Sequence, residues 1–163
     1  KLMKLEEQAN SGPYILYADD DLDDQAFLSE MLRKVNHNIP TRCFENGLEL
    51  VQHLESLPAG ALLPACIILD LNMPVWDGLQ TLKVLKKHPQ YSDVPVFIFS
   101  TSTSDRDTHL PETIGAAAYI TKPYAQNELM KICHEFAEYA LIEPRRKPSQ
   151  FLATPEKTRH YNK

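Results

Sequence analysis

Five short apolar runs, each followed by a longer stretch of helical period, constrain this chain more than any other feature. The clearest, Cys66-Ile67-Ile68-Leu69, is apolar at every position and ends at Asp70. A strand with one face in water alternates apolar and polar residues; a run without that alternation belongs in a sheet covered on both faces. Residues 14–18 and 94–99 have the same character, residues 117–120 form a fifth run, and Thr41–Phe44 is the weakest. Between them apolar residues recur at helical spacing: Leu28, Met31, Leu32 and Val35; Leu50, Val51 and Leu54 within 47–57; Leu79, Leu82 and Leu85; then Leu129, Ile132, Phe136 and Ala140. Alternation of this kind predicts an α/β domain, a parallel sheet sandwiched between helices, built from about five β-α units with no repeat in sequence.

The 163 residues suffice for one domain with a substantial core. A hydrophobic share of 43% and a charged share of 24% are ordinary for a soluble protein. The net charge of −5 argues against direct nucleic-acid binding. No apolar run approaches the ~18 residues of a membrane span, and no secretory signal pattern is present, so a cytoplasmic protein without membrane contact is expected. Cys43, Cys66 and Cys133 are widely spaced in apolar surroundings and read as free thiols. The expected organisation is a leader over 1–12, one domain over 13–140, and a basic, proline-containing extension over 141–163. That extension carries six basic and two acidic residues, a local +4 that leaves −9 on the rest, and reads as solvated linker.

Ligands of open parallel sheets bind beyond the carboxyl ends of the strands. Asp19, Asp20 and Asp21 follow the first run, Asp70 the third, Ser100 to Thr103 the fourth, and Lys122-Pro123 the fifth. The fold would gather these distant residues on one rim. Several carboxylates with one lysine suit a hard divalent cation, Mg²⁺ with Mn²⁺ as a substitute, which takes oxygen ligands and pairs with phosphate. A carboxylate can attack phosphorus to give an acyl phosphate. Asp70, ending the most apolar strand, is the best nucleophile, with Lys122 and the Ser100 hydroxyl to balance charge on the phosphoryl group.

The set "ADDD", "LDLNMPVWDG", "FSTS" and "YITKPY", each part after an expected strand, resembles the receiver domain of two-component response regulators over residues 13 to 140. The "HPQYSDVPV" turn and the long loop before the third strand resemble stand-alone receivers related to those paired with bacterial phytochrome kinases. The resemblance implies a flavodoxin-like (βα)5 doubly wound fold with strand order 2-1-3-4-5. It implies that Asp70 is the phosphoacceptor and that Asp19, Asp20, Asp70 and the backbone carbonyl of Asn72 hold Mg²⁺, Asp19 through water. Ser100 and Tyr119 would be the switch pair, Asn72 and Ser102 would tune hydrolysis, and the Lys122–Pro123 bond would be cis. The partner upstream would be a sensor histidine kinase or a histidine phosphotransfer protein. Downstream it would be a protein partner or a second copy, met through the fourth helix, fifth strand and fifth helix. The chain would be a switch rather than an enzyme.

Plainer readings stand beside these. Asp21, Asp23 and Asp24 read as a solvated helix start, since acids favour the first turn. Asp77 reads as a helix cap within a turn shaped by Pro74 and Gly78, and Ser104 as another cap. Tyr119 could be ordinary core and Lys122 a surface lysine. An EF-hand loop from Asp19 to Glu30 lacks its glycine at Asp24. A haloacid-dehalogenase-type aspartyl phosphatase would need a second acid where Asn72 stands, and a phosphorylation-independent pseudo-receiver adaptor would not need the acidic set. Pro111 departs from the pattern: it should shorten, kink or delay the fourth helix. Thr101 is bulkier than the small residue usual there, which narrows access to the phosphate.

Overall fold

The computed structural model describes residues 12–142; most of the expected leader and of the basic extension lies outside the described residues. Five β-α units follow one another: β1 Ile15–Ala18, α1 Leu22–Val35, β2 Thr41–Phe44, α2 Gly47–Glu55, β3 Cys66–Leu69, α3 Gly78–Lys87, β4 Val96–Ser100, α4 Asp105–Ile114, β5 Ala118–Thr121 and α5 Gln126–Leu141. All strand pairs are parallel, in the order β2-β1-β3-β4-β5, as expected. The chain order reverses between β1 and β3, so their carboxyl ends form the switch point where ligands of such sheets bind.

Side chains alternate across the sheet with period two, and both faces are dry. Ile15, Tyr17, Cys66, Ile68, Phe97, Phe99, Ala118 and Ile120 face α1 and α5, meeting Leu28, Met31, Leu32, Ile132 and Phe136. Leu16, Ala18, Ile67, Leu69, Val96, Ile98 and Tyr119 face the other way, toward Leu50, Leu54, Leu82 and Leu85. Burial on both sides is why these strands read as unbroken apolar runs. Each Leu, Ile, Val, Phe or Met side chain among them contributes about 1.5–3 kcal/mol when fully buried.

β1 begins at Ile15 rather than Tyr14, β5 runs Ala118–Thr121 rather than 117–120, and α2 ends at Glu55 rather than Leu57; two further elements differ for reasons that involve proline. β4 begins at Val96 rather than Val94, because Pro95 has no N–H for the ladder; its carbonyl still accepts from the Ile67 N–H at 2.8 Å. α4 is neither delayed nor lost. Ser104 caps it, accepting from the Asp107 N–H at 3.2 Å, and Pro111 falls in its final turns. Gly115, at φ 124°, then closes the helix, its N–H reaching the carbonyls of Pro111 and Glu112. No helix among the described residues is long and apolar enough to cross a membrane.

Candidate functional site

The rim is built by three sharp exits from the sheet. After β1, Asp19 Oδ1 accepts the Asp21 N–H at 3.0 Å, and Asp21 Oδ1 then caps α1 by accepting from Asp23 and Asp24 at 2.9 and 3.1 Å. Gln25 fastens that first turn, its amide donating to the carbonyls of Asp19 and Phe44 at 2.6 and 2.9 Å. After β3, Leu71 and Met73 turn inward while Asn72 and Pro74 are exposed. Asp77 caps α3 through the Gln80 N–H at 2.8 Å. Gly78 packs so tightly there that a Cβ would lie 2.2 Å from the Asp70 carbonyl oxygen. The identity of residue 78 therefore sets the position of Asp70. Within the loop Val75 has φ 65°, a left-handed conformation that costs a β-branched residue about 1–2 kcal/mol.

These exits bring together an oxygen ligand atom from each of Asp19, Asp20 and Asp70, all within 4.8 Å of one another. Asp19 and Asp70 are buried and Asp20 is exposed. The donor set is entirely carboxylate and open on one side, which fits a hard divalent cation that keeps waters. Lys122 follows β5, its N–H bonded to the Ser100 carbonyl at 2.8 Å. Its Nζ lies 2.6 Å from Asp19 Oδ2, 2.7 Å from Asp24 Oδ2 and 3.6 Å from Asp70 Oδ2. Burial alone would lower the Lys122 ammonium, but the bonds to Asp19 and Asp24, with the charge of Asp70, raise it above its ordinary value. It is therefore a fixed cation. Burial raises the Asp70 carboxyl, opposed by Lys122, reinforced by Asp19, and opposed again by the Ser100 hydroxyl and the Leu71 N–H at 2.8 Å.

Ser100 is fully buried at the end of β4, and its hydroxyl accepts the Ser102 N–H at 3.5 Å. Tyr119 is buried on the α2/α3 face and donates to the Ser102 carbonyl at 2.5 Å. Ser102 Oγ in turn donates to Asp107 Oδ2 at 2.5 Å. Hydrogen bonds from Ser102 and Ser104 hold the Asp107 carboxyl below the usual carboxylate range. Ser102 thus joins Ser100, Tyr119 and Asp107, linking the end of β4 to β5 and to the first turn of α4.

The structure corrects two sequence expectations. The Lys122–Pro123 bond is trans, since the described residues contain no cis peptide bond. Trans is the lower-energy isomer of an X-Pro bond by about 0.5–1 kcal/mol, and in it the Lys122 side chain already reaches the cluster. Asp24, read as a solvated acid, is an ion-pair partner of Lys122. Asp21, Asp77 and Ser104 are the caps they were expected to be. Tyr17 was not anticipated at all. Its buried hydroxyl donates to Asp19 Oδ2, and burial together with Asp19 pushes that hydroxyl well above its usual range. The signal was available, since residues two apart on a strand share a face.

The sequence matches the family described as response regulator receiver domain over residues 15–134, and the chain belongs to that family. Its members are signalling switches of two-component systems, acting between histidine kinases and downstream partners. The chain is similar to the response regulator Rcp1 of Synechocystis sp., with 25% identity over 130 residues, 78% of this chain and 88% of that protein. It is 33% identical over 120 residues to the transcriptional regulatory protein PrrA of Mycobacterium leprae, covering 74% of this chain but 48% of PrrA, so the chain spans about half the length of that relative. Among solved structures, the phosphorylated cyanobacterial phytochrome response regulator RcpA superposes with a TM-score of 0.72 at 27% identity, covering 80% of this chain and 95% of that one. The Mn(2+)-bound form of Rcp1 shares the fold, with a TM-score of 0.70 at 24% identity, covering 80% and 96%.

Proposed function

We propose that this chain is a phosphorylation switch in which Asp70 accepts a phosphoryl group from the phosphohistidine of a sensor histidine kinase or a histidine phosphotransfer protein. An Asp70 carboxylate oxygen attacks phosphorus, the phosphorus–nitrogen bond breaks, and the departing imidazole takes up a proton. A divalent cation held by Asp19, Asp20, Asp70 and the Asn72 carbonyl, Mg²⁺ by preference, would neutralise charge on the phosphoryl oxygens. Lys122 supplies the fixed positive charge, and the buried Ser100 hydroxyl is the donor that would turn to a phosphoryl oxygen. Tyr119, Ser102 and Asp107 pass that change to α4, so the surface of α4, β5 and α5 is the output face for a partner or a second copy. Asn72 and Ser102 flank the approach of water and set the lifetime of the phosphate.

The observation that carries this reading is the Lys122 ammonium, with a side chain 11% exposed, set between Asp19 and Asp70 beside a three-carboxylate cluster. Incubation with acetyl phosphate and Mg²⁺ tests it. One phosphoryl group per chain is expected, absent after chelation of the metal and absent from Asp70→Asn. Undiminished labelling of Asp70→Asn would overturn it.

A further inference from the structure

Lys122 carries three N–H donors, and two are committed away from Asp70. One goes to Asp19, whose Oδ2 also accepts from the buried Tyr17 hydroxyl and whose Oδ1 accepts the Asp21 N–H. Asp19 is fully buried and held from three directions. The other goes to Asp24, whose side chain is 43% exposed and makes no further hydrogen bond among the described residues. Asp24 is nevertheless aimed. Its N–H is tied to the Asp21 cap, and the adjoining Gln25 pins the same turn to the ends of β1 and β2. The acceptor is thus delivered to Lys122 by the backbone of α1, and water can take it over when it is released.

Resting on the phosphoacceptor reading above, we propose that Asp24 is a positioning residue that acts through Lys122. It is the competing acceptor that a phosphoryl group on Asp70 must displace. Lys122 stands 3.6 Å from Asp70, beyond hydrogen-bond length, while its two short bonds point elsewhere. Only the third donor is left for an incoming group with three anionic oxygens, and a second bond to that group requires one carboxylate to yield. Asp19 cannot leave its buried bonds without stranding the Tyr17 hydroxyl, whereas Asp24 can turn into solvent. Asp24 therefore opposes phosphorylation at rest, and its release unfastens the first turn of α1 from β5.

The test uses beryllofluoride, which completes a phosphoryl-like tetrahedron on a carboxylate, titrated in saturating Mg²⁺ against the fluorescence of Trp76, the single tryptophan, which sits in the loop after Asp70. Asp24→Asn should tighten apparent beryllofluoride affinity roughly two- to fivefold, the range of a part-exposed ion pair. Asp23→Asn removes the same charge one residue away, at an exposed side chain, and should show only the small gain of the general field, well short of that in Asp24→Asn. Mg²⁺ affinity without beryllofluoride should shift equally in both variants, because a general field acts on both. Unchanged or weakened beryllofluoride affinity in Asp24→Asn, or an equal gain in Asp23→Asn, would overturn the role of Asp24. Absence of beryllofluoride binding by the unaltered chain would instead overturn the phosphoacceptor reading, and the inference with it.

Discussion

α4 and α5 flank the same edge of the sheet and are held by opposite means. α5 has no side-chain cap at Ala125, yet it buries Leu129, Ile132, Cys133, Phe136, Ala137 and Ala140, and Phe136 meets Phe97 edge-on at 5.4 Å. α4 has a Ser104 cap and an Asp107 tie, yet buries Pro111 alone of its ten residues. Pro111 also removes one helical N–H. One helix is anchored by apolar contact, whose energy is large and insensitive to the rim. The other is held largely by polar bonds, and one of them, from Ser102 to Asp107, leads back to Ser100. Elements of low local stability are the ones that switches move, and here the loosely packed helix is the one wired to the acidic cluster.

The sharpest way to break this contrast is to cut into each helix. Phe136→Ala should cost about 3–5 kcal/mol in chemical denaturation, and Ile114→Ala, at a half-buried site, about 1–2 kcal/mol. Equal losses would remove the distinction. Amide exchange should agree, with α5 opening only on global unfolding and α4 opening well before it.

Next in size is the strain on the rim. Burial, then Asp19, raises the Asp70 carboxyl against the pull of Lys122, Ser100 and the Leu71 N–H. The folded chain therefore holds that proton more tightly than the unfolded chain. The group favours folding below the carboxylate range and costs stability once the pH has risen through its raised value. In chelator, Asp70→Asn should be more stable than the unaltered chain at neutral pH, and the advantage should vanish as the pH falls through the carboxylate range. A variant no more stable at neutral pH would contradict this.

The smallest effect belongs to Val75. Glycine adopts φ 65° freely but loses more chain entropy, so Val75→Gly should gain a net ~0.5–1 kcal/mol by thermal denaturation, with no change in α5 protection.

Much of this was legible in the sequence, for physical reasons. β3 falls on its predicted residues, because an apolar run bounded by turn residues has few alternatives when both faces are buried; β2 does too, as an edge strand paired with β1, although Arg42 is exposed and Phe44 alone of its four residues is buried. Asp19, Asp20, Asp70, Ser100 and Lys122 meet as expected, because each follows a strand of one parallel sheet. Illegible were contacts that depend on side-chain reach between distant elements. Asp24 looks like Asp23 in sequence; only the placement of α1 against β5 separates an ion-pair partner from a solvated acid. Pro111 announced a disturbed α4, but not that the helix would keep its start and yield near its end. The cis expectation at Pro123 came from resemblance alone, and nothing in the local geometry calls for it.

Asp70, and no other carboxylate of the cluster, is the proposed bearer of the phosphoryl group. After treatment with acetyl phosphate and Mg²⁺, borohydride reduction converts an aspartyl phosphate to homoserine at the modified position, and peptide mass mapping locates it. Homoserine is expected at position 70, in keeping with Asp70 as the phosphoacceptor, and not at Asp19, Asp20 or Asp24. Homoserine at one of those three positions, with Asp70 intact, would contradict it.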